Sequence, residues 1–410
     1  MTNRNDKATD DQMDDHAKDK SFRRIRIAFL SVNDPLDKRS WSGTTYYIGQ
    51  TLQRNVGDVH FLGPLPISRT VDKALRGIAK LHRIFFKKEY AVKYSLLLSW
   101  YSSRILKRKM DQGPYDCIVA PAASTELGYF STELPVIYIS DTTFRLISNY
   151  YVKDFKDIPG ISKWEGNRLE RRSLEKSDLI IYSSRWAAGS AMADYHIPAG
   201  RLAVMPLGAN MDFAPGPEMI ADKEKNTELR LLYLAVEWER KGGSIAFAAL
   251  KHLREEMGIP ARLIVCGCIP PAEFQHPDME VIPFLNKNIK EDHERFVALL
   301  SSVHFLILPT RADCSLLVAC ESNAYGVPAI TTNTGGVPDI VKDGVNGYCL
   351  PFEAGGEEYA GLIAAIFADK ERYHALIVSS RKRYEDELNW DRWAERFREL
   401  YASHIMKNGG

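Results

Sequence analysis

The stretch LRLLYLAVEWERKGGSIAFAALKHL occupies residues 229–253. It opens with the nearly continuous apolar run Leu229–Val236, which predicts a strand that is buried on both faces. A charged loop with two adjacent glycines follows, and the apolar periodicity of Ile245–Met257 then predicts a helix. Because strand, short loop and helix form the repeating unit of parallel sheets, this stretch predicts an α/β architecture.

Apolar runs of the same kind recur on both sides of this unit, with helical patterns between them. The predicted strands are Ile25–Val32, Val59–Leu62, Cys117–Ala120, Val136–Ser140, Leu179–Ser183, Leu202–Met205, Leu229–Val236, Arg262–Cys266, Glu280–Phe284, Val303–Leu308, Ala329–Thr332 and Tyr348–Leu350. The series is interrupted once, by the polar, proline-rich stretch that ends at Asn226. The sequence therefore predicts two Rossmann-like, doubly wound parallel-sheet domains that face a central cleft.

Length and composition are consistent with that architecture. A chain of 410 residues is longer than a single hydrophobic core usually supports, so we expect one domain over residues 22–210 and a second over 211–389. Residues 1–21 are rich in charge and poor in apolar residues, which predicts a disordered tail.

The overall charge and the cysteines narrow the class further. A net charge of +1 gives no general attraction for nucleic acid. No apolar run approaches the ~20 residues of a membrane-spanning helix. The six cysteines are scattered without metal-site spacing and no apolar signal segment opens the chain, so we expect a cytoplasmic protein without a bound metal.

Three loops that follow predicted strands carry the candidate chemistry. In the first, Arg240 and Lys241 precede a glycine pair and a helix start, where cations, backbone N–H groups and the helix dipole suit a diphosphate. On these residues alone, a solvated charged loop with Ser244 as the helix cap is an equally good interpretation.

The second loop leads into the predicted helix Leu316–Tyr325. Asp313 stands just before this helix, and Glu321 stands within its apolar run, where a carboxylate needs a partner. Both carboxylates are able to accept hydrogen bonds from sugar or ribose hydroxyls. The alternative is that Asp313 caps the helix and Glu321 forms an ion pair in an interface.

The third loop, after the strand Ala329–Thr332, contains Gly335 and Gly336. Adjacent glycines permit close approach of the backbone to a ligand. A lone glycine pair is weak support, but it recurs at the same strand-end position as the two other loops.

These segments resemble a known family. Residues 303–350, VHFLILPTRADCSLLVACESNAYGVPAITTNTGGVPDIVKDGVNGYCL, resemble the most recognisable stretch of the family 4 retaining glycosyltransferases, including its Glu-x7-Glu motif. Residues 229–253 resemble that family's diphosphate-binding strand and loop. The likeness extends more loosely over residues 23–404 and implies the GT-B fold.

The resemblance also implies functions for the domains. Residues 22–210 would bind the acceptor and residues 211–389 the nucleotide sugar, while a terminal helix over 390–410 would cross back to the first domain. Such enzymes transfer a sugar from a nucleotide diphosphate donor with retained configuration and need no further cofactor and no bound metal.

The resemblance implies a role for each matching residue. Lys241 would pair with the donor diphosphate, Asp313 would hold sugar hydroxyls and Glu321 would hold the ribose. We take Asp141, Asp313 and Lys241 as the catalytic positions. The other donor-binding positions are Gly43, Thr44, Arg240, Cys314, Ser315, Leu316, Leu317, Gly335 and Gly336.

The sequence departs from the family pattern at three positions. Asp313 replaces the first glutamate of the motif and is one methylene shorter. Val236 stands where an arginine is usual, and Arg240 is its natural substitute. Asp141 stands where the first domain usually carries a histidine.

The function implied is transfer of a sugar to a glycan, a lipid-linked or a small-molecule acceptor, in bacterial polysaccharide or glycoconjugate synthesis. A nucleotide-sugar 2-epimerase is one alternative. A non-catalytic GT-B protein that binds a sugar nucleotide or acts as a scaffold is another, because Asp313 and the missing histidine depart from the pattern.

Residues 69–109 form a basic and aromatic segment. Two acidic residues oppose its cations, which are Arg69, Lys73, Arg76, Lys80, Arg83, Lys87, Lys88, Lys93, Arg104, Lys107, Arg108 and Lys109. Interleaved aromatic and aliphatic residues favour binding to an anionic membrane surface or to a lipid-linked acceptor, so we expect the protein at the inner face of the membrane. The alternative is a solvated helix face opposite a core-facing stripe.

Overall fold

The computed structural model describes residues 23–216, 220, 223 and 227–406. The predicted disordered tail, residues 1–21, lies outside this part of the chain. So does most of the polar stretch between the two series of strands.

Two parallel six-stranded sheets are formed by the described residues. The first has the order β2-β1-β3-β4-β5-β6 and the second the order β12-β11-β10-β7-β8-β9. The strands are β1 (Ile25–Phe29), β2 (Gly57–Phe61), β3 (Cys117–Pro121), β4 (Val136–Ser140), β5 (Leu179–Tyr182), β6 (Leu202–Val204), β7 (Leu229–Leu234), β8 (Ala261–Cys266), β9 (Met279–Ile282), β10 (Phe305–Leu308), β11 (Ala329–Thr332) and β12 (Gly347–Leu350).

Helices join the strands of each sheet. They are α1 (Thr44–Asn55), α2 (Arg69–Phe86), α3 (Leu96–Met110), α4 (Ser124–Leu127), α5 (Phe144–Tyr150), α6 (Val152–Phe155), α7 (Gly160–Lys176), α8 (Arg185–Tyr195), α9 (Gly243–Lys251), α10 (Lys290–Ser302), α11 (Leu317–Ala324), α12 (Val337–Ile340), α13 (Gly356–Ala368), α14 (Lys370–Asp386) and α15 (Trp390–Tyr401). All pairings between neighbouring strands are parallel, as the intervening helices require.

The core of the first sheet lies on both of its faces because successive side chains of a strand point to opposite sides. In β1, Ile27 and Phe29 belong to one apolar cluster, and Ala28 belongs to the other. The first cluster also contains Trp393 and Phe397 of α15. Helix α15, which follows the last helix of the second domain, therefore packs on the first domain.

Every predicted strand is present, and two have the predicted ends. Most others differ by one or two residues at an end, and β1 ends three residues before the predicted Val32, because the burial of an apolar run does not stop at the end of a strand. Leu30, for example, is fully buried although β1 ends at Phe29.

Candidate functional site

The strand order of the second sheet creates a crevice between β7 and β10. These strands are neighbours, but the chain leaves β7 toward β8 on one side and continues from β10 to β11 on the other. Ligands of open parallel sheets bind beyond the carboxyl ends of the strands at such a reversal point. The loops after β7, β10 and β11 are the three that the sequence singles out.

Backbone hydrogen bonds tie these three loops together. The N–H of Arg311 donates to the carbonyl of Arg240 at 2.8 Å, which joins the loop after β7 to the loop after β10. The N–H of Gly336 donates to the carbonyl of Asp313 at 3.2 Å, which adds the loop after β11. Three loops that lie far apart in the sequence thus form one surface.

Glycines allow this close packing. Gly242 has φ +74, and a Cβ built there would lie 1.9 Å from the Pro309 carbonyl oxygen. A Cβ on Gly336 would lie 1.9 Å from the carbonyl oxygen of Cys314. The two glycines are therefore required by contact with a neighbouring loop.

Lys241 and Asp313 meet at the centre of this surface. The ammonium group of Lys241 forms an ion pair with Asp313 Oδ2, and their side chains are only 15% and 7% exposed. Asp313 does not cap α11, whose N-cap is Leu316, and Ser244 does not cap α9, whose N-cap is Gly242. Both capping interpretations are therefore wrong.

Glu321 lies inside α11 and is 3% exposed. Its Oε1 is 2.7 Å from the Nζ of Lys287, which comes from the loop after β9 and lies over the ring of Phe296. Each buried carboxylate of the motif thus forms an ion pair with a lysine.

Arg240 lies beside Lys241 and contacts both domains. Its guanidinium donates to the Ala312 carbonyl at 2.9 Å and to Glu237 Oε1 at 2.5 Å. It also lies 4.8 Å from the ring centre of Tyr151 in the first domain.

Asp141 follows β4 and faces this surface from the first domain. Its Oδ2 accepts a hydrogen bond from the indole N–H of Trp41 at 3.0 Å. Burial, with a smaller contribution from the negative charge of Asp313, raises the pKa of Asp141 to about 6 despite that hydrogen bond. A carboxyl group with a raised pKa therefore faces the Lys241–Asp313 pair.

The loop before α1 contacts Asp141 through Trp41. Gly43 has φ +91 and begins the turn into α1, and Thr44 is fully buried. The side-chain amide of Asn210, near the junction of the domains, donates to the Ser42 carbonyl at 2.7 Å. The loop that carries Gly43 and Thr44 is thus anchored at the junction, and its contact toward the site is made by Trp41.

The segment between Asp313 and α11 lines the crevice. Cys314 is buried, and burial, with a smaller contribution from Asp141, raises its pKa well above the usual value. Leu316 is fully buried in the second core, whereas Leu317 packs against the first-domain cluster. The hydroxyl of Ser315 is buried without a hydrogen-bond partner.

Four residues of this site were not predicted from the sequence. They are Trp41, Tyr150, Tyr151 and Lys287. Lys287 stands in a loop after a strand, as the recognised cations do, and that position was an available signal. Tyr150 and Tyr151 approach the second domain only through the packing of the two domains, and Trp41 meets Asp141 only through the folding of the first domain. Neither contact has a local sequence signal.

Two absences in the described part of the chain concern metals and membranes. No group of three or more His, Cys, Asp or Glu side chains is placed to hold a metal ion in the part of the chain described. Within the same residues, no helix combines the length and the apolar character needed to cross a membrane.

Two Rossmann-like domains whose strand-end loops face one another define the GT-B fold. Residues 217–383 match the family model of Glycosyl transferases group 1. The chain is similar to the provisionally named colanic acid biosynthesis glycosyltransferase WcaL of Escherichia coli K12, at 24% identity over 289 residues. That alignment covers 66% of this chain and 64% of WcaL, so the chain matches just under two thirds of this curated relative's length.

Solved structures agree on the fold. Sucrose-phosphate synthase of Thermosynechococcus elongatus superposes with a TM-score of 0.66 at 18% identity, covering 94% of this chain and 100% of that one. HepE of Anabaena, in complex with UDP and glucose, superposes with a TM-score of 0.59 at 14% identity, covering 93% of this chain and 100% of HepE.

Proposed function

We propose that the chain transfers a sugar from a nucleotide diphosphate donor to a glycan, a lipid-linked or a small-molecule acceptor, with retained anomeric configuration and without a bound metal. The observation that carries the proposal is the largely buried Lys241–Asp313 pair at the reversal point of the second sheet. The match of residues 217–383 to group 1 glycosyl transferases and the similarity to WcaL support it.

The geometry suits departure of a diphosphate. When the bond between the sugar C1 and the diphosphate oxygen breaks, negative charge develops on the leaving nucleoside diphosphate. Lys241 and the adjacent Arg240 supply two cations at a partly buried site, where charge stabilisation is stronger than in water. Asp313, released by Lys241, accepts hydrogen bonds from the sugar, and Glu321 accepts them from the ribose.

Release of nucleoside diphosphate from UDP-, GDP- and ADP-sugars tests this proposal. We expect Lys241→Ala to lower kcat/KM about 100-fold or more, since it removes a cation from the leaving group. Lys251→Ala is the matched control, because Lys251 lies on the following helix α9 and forms only an exposed ion pair with Glu255. Equal activity of the two variants, or no release from any donor, would overturn the proposal.

Two further measurements address the finer claims. The anomeric configuration of the isolated product, read by NMR, distinguishes retention from inversion. Activity after treatment with EDTA tests independence from metal ions. Formation of a free epimerised sugar without transfer would favour the 2-epimerase alternative.

We also propose that the end of α2 binds an anionic membrane surface. Leu81, Ile84, Phe85 and Phe86 are between 54% and 73% exposed. The helix ends at Phe86 and the chain continues into Lys87 and Lys88, so apolar side chains that insert among acyl chains stand beside cations that attract lipid phosphates.

Sedimentation with vesicles tests the membrane contact. The full chain should bind vesicles that contain phosphatidylglycerol and not vesicles of phosphatidylcholine alone. Phe85→Ser with Phe86→Ser should abolish sedimentation, whereas Val378→Ser, which changes an exposed apolar residue of the second domain, should leave it intact. Binding that is independent of lipid charge would contradict the proposal.

A further inference from the structure

Tyr150 ends α5 in the first domain and reaches across the cleft into the second. Its hydroxyl oxygen lies 2.7 Å from Thr334 Oγ1 and accepts a hydrogen bond from the Asp313 N–H at 3.0 Å. Its ring packs on Trp186, with 4.9 Å between ring centres. One side chain of the first domain thus joins the loops after β10 and β11 of the second.

The hydroxyl lies directly on the glycine turn. A Cβ built on Gly335, which has φ +54, would lie 2.5 Å from the Tyr150 oxygen and 2.3 Å from the Asp313 carbonyl oxygen. The space that the missing Cβ leaves open is occupied here by a tyrosine oxygen. It is also the space through which the glycine pair would let a ligand approach the backbone.

The groups that Tyr150 contacts are those that a nucleotide diphosphate sugar would bind. A backbone N–H donates to any acceptor oxygen, and a charged phosphate oxygen is a stronger acceptor than a neutral hydroxyl. Burial raises the pKa of Tyr150, so the hydroxyl remains protonated and neutral. The Asp313 N–H is directed at one oxygen at a time, so two acceptors compete for it.

We propose that the Tyr150 hydroxyl occupies the position of a donor oxygen in the unliganded protein and thereby sets the affinity for the nucleotide diphosphate sugar. The inference rests on the proposed function and adds a residue of the first domain to the determinants of donor binding. A donor displaces the hydroxyl from Asp313 and Thr334, and the first domain is released from the glycine turn in the same event.

The size of the effect follows from the competition. If only a fraction of molecules have the turn free, the apparent Kd exceeds the intrinsic Kd by the reciprocal of that fraction. Two hydrogen bonds of ordinary net strength correspond to an about 5- to 150-fold effect in this fraction. Tyr150→Phe retains the ring against Trp186 and removes both hydrogen bonds, so the Kd should fall by this factor.

Calorimetric titration of the full chain with UDP, GDP and ADP measures the Kd. Tyr348→Phe is the matched control, because it removes a tyrosine hydroxyl that accepts one hydrogen bond from Arg372 at 3.0 Å outside the cleft. Hydrogen–deuterium exchange of residues 309–317 without nucleotide is the second readout. Tyr150→Phe should accelerate exchange there, and Tyr348→Phe should not.

The outcomes separate this inference from the proposed function. Faster exchange together with tighter nucleotide binding supports the inference. Unchanged exchange in Tyr150→Phe overturns it and leaves the proposed function intact. Weaker binding by Tyr150→Phe also overturns it, since the hydroxyl would then be a ligand contact. If neither protein binds any nucleoside diphosphate, the proposed function is wrong. Tyr150 then has no ligand with which to compete.

Discussion

Asp141 carries a carboxyl group whose proton affinity depends on the fold. Burial, and to a smaller extent Asp313, raise its pKa from 3.8 to about 6. Its contribution to stability is therefore fully present below pH 3.8 and is lost as the pH rises through about 6. The melting temperature of Asp141→Asn minus that of the unmodified chain should therefore increase as the pH rises from 4.5 to 8. A difference in melting temperature that stays constant with pH would contradict this.

The same titration should be visible in catalysis. If the ionised Asp141 carboxylate meets the reacting sugar, kcat/KM should rise with pH through about 6 and then level off. Asp141→Asn should lose that rising limb and most of the activity. A variant that keeps the limb would assign the titration to another group.

At the scale of single residues, the sequence predicts which charged residues follow a strand. It does not predict which residues they contact in the fold. Lys241, Asp313 and Glu321 are recognisable because charged residues interrupt an apolar pattern at one edge of the sheet. Their pairing is not predictable in the same way, because Lys287 and Tyr150 come from other loops whose distance depends on the whole packing.

At the scale of elements, parallel strands are predictable because burial on both faces leaves nearly uninterrupted apolar runs. The helix α11 was predicted as Leu316–Tyr325 and is Leu317–Ala324. The helix after β7 was predicted to reach Met257, but α9 ends at Lys251 and a wider π-type turn continues it. Periodicity does not distinguish these two helix types, since both present an apolar face.

The loops of the site depend on glycine, which permits a matched test. Gly242 and Gly258 both have positive φ, but only Gly242 has a neighbour in the way, the Pro309 carbonyl oxygen. Gly258→Ala should cost about 1 kcal/mol, the left-handed strain alone. Gly242→Ala should cost about 1–3 kcal/mol more, because the loops after β7 and β10 must separate. Urea unfolding measures both, and equal losses would show that the contact is unimportant.

At the scale of the molecule, the repeat of the strand pattern predicts two domains, while their mutual placement rests on contacts that no pattern reveals. Arg185 and Asp339 form one such contact at 2.7 Å, and Lys38 and Asp212 form another at 2.8 Å. Both are ion pairs between segments that are remote in sequence. The placement of the two domains is therefore a property of the folded chain as a whole.

Helix α15 stabilises the first domain although it follows the second in sequence. Trp393 is 1% exposed and packs in the first-domain cluster, whereas Ile363 is fully buried in the second-domain core. Trp393→Ala should cost about 3–5 kcal/mol and lower the calorimetric transition of the first domain. Ile363→Ala, expected to cost about 2–5 kcal/mol, should lower the other transition. If both variants lower the same single transition equally, the two domains unfold as one unit and the separate assignment is wrong.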